Sequence, residues 1–414
     1  MRKNIYVTLA LLAIGLNGLY AQNAGCDGSR YKADVFSSVK KTTVIYAPTV
    51  TQLGDSINLS MDVYEPIGDV VATRPVVILA HGGSFVFGQR TDMDRWCRLL
   101  AKKGYVAATI TYRLYPVFIL GFPDSIGVFN TAVKAVGDMR AAVRYFREDA
   151  ATANLFHADA AHIFIGGYSA GAVTALHSTY LDQTDDIPGF LQTLIDNNGG
   201  LEGISGTVSN KTYSSASLAV VNMSGGLYRS QWIDPTESPI VSIHGTADGT
   251  VPFVSGLAAN IAYLQGSSLL HVRANDINLW NSLHVVPGAG HTNLYSDVIY
   301  QPHIDTFWVN ATALLESLTC QAVGLQEPNN RDSNWSISPN PNTGNQFVLQ
   351  LPMEIQLADV QVFNMIGALV FQQKSVADNG VVLLPDLAKG VYMIQLTTPE
   401  FPGKKFVSKK LIVK

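Results

Sequence analysis

Residues 167–171 read Gly167-Tyr168-Ser169-Ala170-Gly171, one serine with a glycine two positions to either side. A serine hydroxyl attacks a carbonyl carbon only when a base takes its proton, and the usual base is an imidazole oriented by a carboxylate. The chain has nine histidines. His291 ends the run Val285-Val286-Pro287-Gly288-Ala289-Gly290-His291, strand followed by a glycine-rich loop, which lets a ring hang over a sheet edge. His157, His162, His177, His271, His284 and His303 have no such setting and read as surface or packing residues. For the acid, Asp248 follows the apolar run Ile240–Ile243 and precedes a turn, a placement that Asp234 and Asp276 lack. His244, in the same segment, reads as a brace for that loop. Acyl transfer also creates an oxyanion that backbone N–H groups must hold. In Leu79-Ala80-His81-Gly82-Gly83-Ser84-Phe85 two glycines let the chain turn its amides inward. Gly83 and Ser84 are the expected donors from that loop and Ala170 the third. The expected catalytic residues are thus Ser169, Asp248 and His291.

These groups need a scaffold that brings them to one rim. Val76–Ala80 (VVILA) and Ile163–Ile165 are continuous apolar runs, as in strands buried on both faces. Residues 57–64 alternate, and 106–111, 219–222, 240–243 and 284–286 add β-type runs. Between them, residues 94–102, 137–147, 170–180 and 297–318 have helical spacing. Such alternation predicts an α/β layered fold around a mostly parallel sheet. The run from a buried strand through a tight glycine turn into a helix is the context the serine motif needs: it lifts the hydroxyl out of the sheet and aims a helix N-terminus at the developing charge. Two stretches break the pattern. Residues 181–216, rich in Gly, Ser, Asn and Asp, read either as part of a lid over the sheet or as an inert surface loop. Residues 113–129, with Phe118, Phe122 and Phe129, read as pocket lining or as ordinary packing.

The remaining features bound the setting. The chain has 414 residues, 47% apolar and 14% charged, with a formal net charge of −4. No basic run offers a nucleic-acid surface. Arg2 and Lys3, the apolar segment Ile5–Leu16 and the small Ala21 predict a signal peptide over 1–21, too short for a comfortable membrane span. No later segment is long and apolar enough to cross a bilayer. Export permits a disulfide among Cys26, Cys97 and Cys320. Cys26–Cys97 is the favoured pair, since it would pin the mature N-terminus to the main domain. After residue 320 the chain turns into a polar linker (321–335) and then short β-type runs over 336–414, a small β-sandwich. Asn364–Gly367 is a hairpin candidate within it. That segment holds seven lysines against five acids, opposite in sign to the rest of the mature chain. The expected domains are a signal peptide (1–21), a catalytic domain (22–320), the linker and the β-sandwich.

With HGGSF, GYSAG, HGTAD and GAGH in this order over roughly residues 40–318, the chain resembles the α/β-hydrolase esterase and lipase family. It is most similar to the branch with an HGG oxyanion loop, which includes feruloyl and acetyl esterases. The resemblance implies the α/β-hydrolase fold, Ser169 as nucleophile, Asp248 as acid and His291 as base. It departs from HGGG in having Ser84 at the third position after His81. Residues 336–414 resemble the type A sorting domain of type IX secretion in Bacteroidota. The matching features are Ile337–Gly344 (ISPNPNTG), Val360–Asn364 with Gly367, Lys389–Tyr392 and the basic ending Lys409–Lys414. That implies the type IX secretion machinery as partner and a secreted or cell-surface destination.

Together these readings predict a secreted serine carboxylic-ester hydrolase that needs no metal or cofactor. Its partner is an ester substrate, polymeric or not: acylated polysaccharide, lipid or polyester. The acidic run DQTDD (182–186) could bind calcium, although a solvated loop is the simpler reading. A serine peptidase of the same fold and a non-catalytic surface-displayed binding protein are the rival functions. A carbohydrate-binding module is the rival for the β-sandwich, and no row of exposed aromatics supports it.

Overall fold

The computed structural model describes residues 25–320, 335–351, 355–364, 369–398 and 409–414. The expected signal peptide, most of the linker and Met365–Gly367 of the hairpin candidate lie outside the described residues. The chain forms two compact units that divide near residue 322.

The first unit begins with the antiparallel pair β1 (Val39–Val50) and β2 (Ser56–Pro66), followed by β3 (Arg74–Ala80), α1 (Asp94–Lys102) and β4 (Val106–Ile110). A single turn α2 (Val117–Leu120) leads into the long helix α3 (Ser125–Ala151), whose first turn is capped by Asp124 accepting from the Gly127 amide at 2.8 Å. Next come β5 (Ala158–Tyr168), α4 (Ala170–Tyr180), α5 (Gly189–Asn197), β6 (Val220–Met223), β7 (Gly226–Leu227) and β8 (Ile240–Gly245). A hairpin of β9 (Ser255–Ala258) and β10 (Ala262–Gly266), then α6 (Ser267–Asp276), β11 (Asn281–Val286), α7 (Asn293–Ser296) and α8 (Gln301–Cys320) complete it. The main sheet runs β1-β2-β4-β3-β5-β6-β8-β11. It is parallel from β4 to β11 and antiparallel at the β1–β2–β4 edge.

Side chains alternate across the central strands. Val76, Ile78 and Ala80 of β3 enter the core shared with α3, α4 and α6, while Val77 and Leu79 enter the core shared with α1 and α8. Both faces are covered, so the strands carry no polar side and read as continuous apolar runs.

The segment 181–216 is neither a free lid nor an inert loop. Three arginines of α3, at spacings of four and three, face it. Arg140 donates to the carbonyls of Ser178 and Leu181, Arg144 to Ser205 O and Asn210 Oδ1, and Arg147 to Ala160 O and Ala216 O. The segment is thereby a fixed wall. The DQTDD run closes on itself through Asp182 and Asp185 and pairs Asp186 with Arg229. Among the described residues no group of three or more His, Cys, Asp or Glu is placed to hold a metal ion.

The expected Cys26–Cys97 disulfide is wrong. Cys26 bonds Cys320 at the end of α8, with 5.6 Å between the Cα atoms. Cys97 is a free thiol buried on the apolar face of α1. It points into the core with Leu100 and Ala101, so it packs as a small hydrophobe instead of meeting the N-terminal segment.

In the second unit, β12 (Ser336–Ser338), β13 (Gln346–Gln350) and β16 (Gly380–Leu383) form one antiparallel sheet. The strands β14 (Leu357–Phe363), β15 (Leu369–Ala377), β17 (Gly390–Thr397) and β18 (Lys409–Val413) form another. Phe347, Leu349, Val360, Val362, Ile394, Leu396 and Leu411 make one apolar cluster between them, joined by Trp335 from the end of the expected linker.

Candidate active site

β5 and α4 meet at Ser169, whose backbone sits at φ 54°, ψ −121°. Few L-residues adopt that region without an enforcing neighbourhood. Here the neighbourhood is backbone. A Cβ on Gly167 would lie 2.5 Å from Ala80 O and from Gly171 C, and a Cβ on Gly171 would lie 2.1 Å from Ala80 O and 2.6 Å from His81 O. Only hydrogen fits at either position, so α4 approaches the end of β3 closely enough to force the turn. The Ser169 amide donates to Met223 O of β6 at 2.9 Å, which ties the turn to the neighbouring strand.

The loops after β8 and β11 bring Asp248 and His291 to the same rim. Ser169 Oγ donates to His291 Nε2 at 2.7 Å, and His291 Nδ1 donates to Asp248 Oδ2 at 2.6 Å. The His291 ring is held by stacking on Tyr168, with centroids 5.2 Å apart. The Tyr168 hydroxyl donates to His291 O at 3.2 Å. Asp248 Oδ1 accepts from the amides of Thr250 and Val251, each at 2.9 Å. Burial opposes ionisation of Asp248, but hydrogen bonds from His244 and His291 and the nearby amides hold its carboxyl well below the usual range. His244 braces that loop and also touches the carboxylate: its Nε2 lies 3.0 Å from Val251 O and 3.2 Å from Asp248 Oδ2. Its Nδ1 lies 2.8 Å from Ser267 Oγ, which in turn accepts from Asn222. No one-dimensional pattern signals that second contact, since it joins β8 to the N-terminus of α6.

After β3 the chain turns through three successive residues at positive φ: Gly83 at 118°, Ser84 at 52° and Phe85 at 63°. His81 anchors the turn by stacking on Tyr112, whose hydroxyl donates to His81 O at 2.8 Å. Among the described residues the amides of Gly83, Ser84 and Ala170 donate to no protein acceptor. Ser84, Ser169 and Ala170 line one cavity. Its other walls are apolar and come from α3, α4, α5, the segment after α5 and the β9–β10 hairpin. Of the aromatic residues in 113–129, Phe129 lines this cavity, whereas Phe118 and Phe122 are 92% and 77% exposed. His177, which reads as surface or packing, is half-buried and lines the cavity, and His271 is buried between Ser242 and Asn281. The hairpin and α5, both without clear sequence periodicity, were not anticipated as lining.

Residues 61–225 match the family model described as BD-FAE, one of the α/β-hydrolase esterases. The chain carries a BD-FAE domain. Gly83, Ser84, Ser169 and Ala170 fall within that match, and Asp248 and His291 lie beyond it. Residues 336–414 match the secretion system C-terminal sorting domain. Among solved structures, Thermogutta terrifontis esterase 2 phosphorylated by paraoxon is 19% identical, with a TM-score of 0.49 over 68% of this chain and 95% of that one. The propionate-bound esterase from the same Planctomycetes species is 18% identical, with a TM-score of 0.48 over 68% of this chain and 96% of that one. At these identities the likeness says nothing about substrate. No curated protein matches the chain. The BD-FAE domain sits on the α/β-hydrolase fold, so the protein is an esterase-like hydrolase with a secretion sorting tail, acting on esters. The tail assigns it to type IX secretion or cell-surface display. Among the described residues no helix is long and apolar enough to cross a membrane.

Proposed function

We propose that the protein is a serine carboxylic-ester hydrolase in which Ser169, His291 and Asp248 act as nucleophile, base and orienting acid. The observation that carries this reading is the unbroken hydrogen-bond line from Ser169 Oγ through His291 to Asp248, with distances of 2.7 and 2.6 Å. In the first step His291 Nε2 takes the Ser169 proton while Oγ bonds to the ester carbonyl carbon. The charge moves to the carbonyl oxygen, where the free amides of Gly83, Ser84 and Ala170 receive it. Asp248 keeps the Nδ1 proton in place and stabilises the imidazolium that forms. As the tetrahedral intermediate collapses, the alkoxide leaves with the Nε2 proton and an acyl-Ser169 ester remains. Water, deprotonated by the same nitrogen, attacks that ester, releases the acid and restores the hydroxyl. The original Ser169 proton departs on the alcohol, one proton of the water returns to Ser169 through His291, and the enzyme is regenerated with no electron transferred.

Residues 1–21 act, in this proposal, as the signal peptide that delivers the chain to the secretion machinery, and residues 22–320 as the catalytic domain. A test is hydrolysis of short p-nitrophenyl esters by wild type and Ser169→Ala, with aminoacyl-p-nitroanilides beside them. Ester turnover that survives the substitution, or turnover of the anilides in preference to the esters, would remove the reading.

A further inference from the structure

Asp248 stands at the end of a buried polar thread whose hydrogens can be placed in turn. Asn222 on β6, Ser242 and His244 on β8, and Ser267 and His271 on α6 are all buried. Asn222 Oδ1 accepts from the Gly225 amide at 2.9 Å. A backbone N–H only donates, so the orientation of the Asn222 amide is fixed and its Nδ2 supplies two hydrogens to the other side. One goes to Ser267 Oγ at 3.0 Å and one to Ser242 Oγ at 2.9 Å. A buried hydroxyl proton without an acceptor is costly. Among the described residues the one other partner of Ser267 Oγ is His244 Nδ1, and that of Ser242 Oγ is His271 Nε2, each at 2.8 Å. Each serine therefore donates to its histidine.

The far ends of the thread agree. His244 Nε2 faces only acceptors, Val251 O at 3.0 Å and Asp248 Oδ2 at 3.2 Å, so it carries the ring proton. Asn281 donates through Nδ2 to Leu279 O at 2.9 Å, which leaves its Oδ1 to accept from His271 Nδ1 at 2.8 Å. Two arms thus run outward from Asn222. One passes through Ser267 and His244 to Asp248, and the other through Ser242 and His271 to Asn281. Every donor in them has an acceptor, the condition under which a buried network holds its members rigidly.

Resting on the ester-hydrolase reading above, we propose that Asn222 and Ser267 are positioning residues for the reaction, holding His244 so that its Nε2–H faces Asp248 and keeps that carboxylate aimed at His291. Asp248 Oδ2 meets both rings, His291 Nδ1 at 2.6 Å and His244 Nε2 at 3.2 Å. A His244 ring released from Ser267 can turn, and the carboxylate then loses one of the two contacts that fix its direction. Asn222 itself is a poor probe, because Met223 beside it accepts from the Ser169 amide. The two serines are better ones. Both are buried and both bridge Asn222 to a histidine, and only the Ser267 arm ends on Asp248.

The test compares Ser267→Ala with Ser242→Ala, each of which deletes one such hydroxyl. Their thermal midpoints should fall alike. On p-nitrophenyl butyrate Ser267→Ala lowers kcat about fivefold, the worth of one hydrogen bond, with KM unchanged, while Ser242→Ala keeps kcat within about twofold of wild type. NMR of the imidazole nitrogens in wild type, assigned with His244→Gln and His271→Gln, is independent of whether the serine variants fold. It shows opposite tautomers, the proton on Nε2 of His244 and on Nδ1 of His271. A kcat unchanged in Ser267→Ala, a loss equal in both variants or larger in Ser242→Ala, an effect carried by KM, or a neutral His244 with its proton on Nδ1 overturns the proposal and leaves ester hydrolysis standing. Absence of turnover by wild type on every ester overturns both.

Discussion

Gly171→Ala is a one-carbon change with a calculable consequence. Its Cβ would arrive 2.1 Å from Ala80 O and 2.4 Å from Ala80 C, where ordinary contact begins at 3.4 Å. The obstacles are backbone atoms at the end of β3, in a core packed on both faces, so no side chain can rotate away. A separation of about 1.3 Å must open between α4 and β3. That is the separation between Ser169 and the loop carrying Gly83 and Ser84. Misplacing catalytic groups by about 1 Å costs about 10²-fold in rate, and overpacking of this kind costs roughly 1–3 kcal/mol in stability. The expected outcome is a folded protein whose melting temperature drops by several degrees and whose kcat/KM on p-nitrophenyl butyrate falls about a hundredfold. Gly189→Ala is the control, because nothing lies within 4 Å of a Cβ there and its φ is ordinary. If Gly171→Ala keeps both its melting temperature and its turnover within threefold of wild type, the close approach of helix and strand is not what shapes the nucleophile's turn.

Three other perturbations are expected to separate the supports of the site. His244→Ala leaves Asp248 without one of its buried donors and is expected to lower kcat about tenfold, with KM nearly unchanged, in steady-state kinetics. Reduction, or Cys320→Ser, removes a bond that closes 294 residues of chain and is expected to cost about 2–5 kcal/mol, read as a lower thermal midpoint in the presence of dithiothreitol. Burial lowers His177 and His271 each to about 4, whereas the unfolded chain takes up those protons near 6.5. The unfolded state therefore binds more protons in that window, and stability present above about pH 6.5 is lost as pH falls toward 4. The thermal midpoint measured from pH 7 to 4 should fall through this window, and His177→Gln should fall less.

Much of the site could be read without coordinates because local covalent geometry imposes it. A strand buried on both faces must be apolar throughout, and a helix that starts against the end of a neighbouring strand must carry hydrogen at Gly167 and Gly171. Those constraints write themselves into consecutive residues. What stayed hidden depends on distant pairs. The partner of Cys26 is decided by where α8 ends, 294 residues later. The contact of His244 with Ser267 depends on α6 starting beside the end of β8, 23 residues on. The segment 181–216 reads as loop because its order comes from arginines on α3 and not from its own periodicity. The start of α3 at Ser125 was hidden in an irregular-looking stretch, and there Phe129 faces the cavity while Phe118 and Phe122 face solvent.

The central claim is that Ser169 is made nucleophilic by His291 at this rim. Its most direct test is intact-protein and peptide mass spectrometry after a fluorophosphonate. The account predicts a single stoichiometric adduct on the peptide containing Ser169, lost in Ser169→Ala and formed at least a hundredfold more slowly in His291→Ala. An adduct on another residue, or none at all in a preparation that still hydrolyses esters, would contradict it.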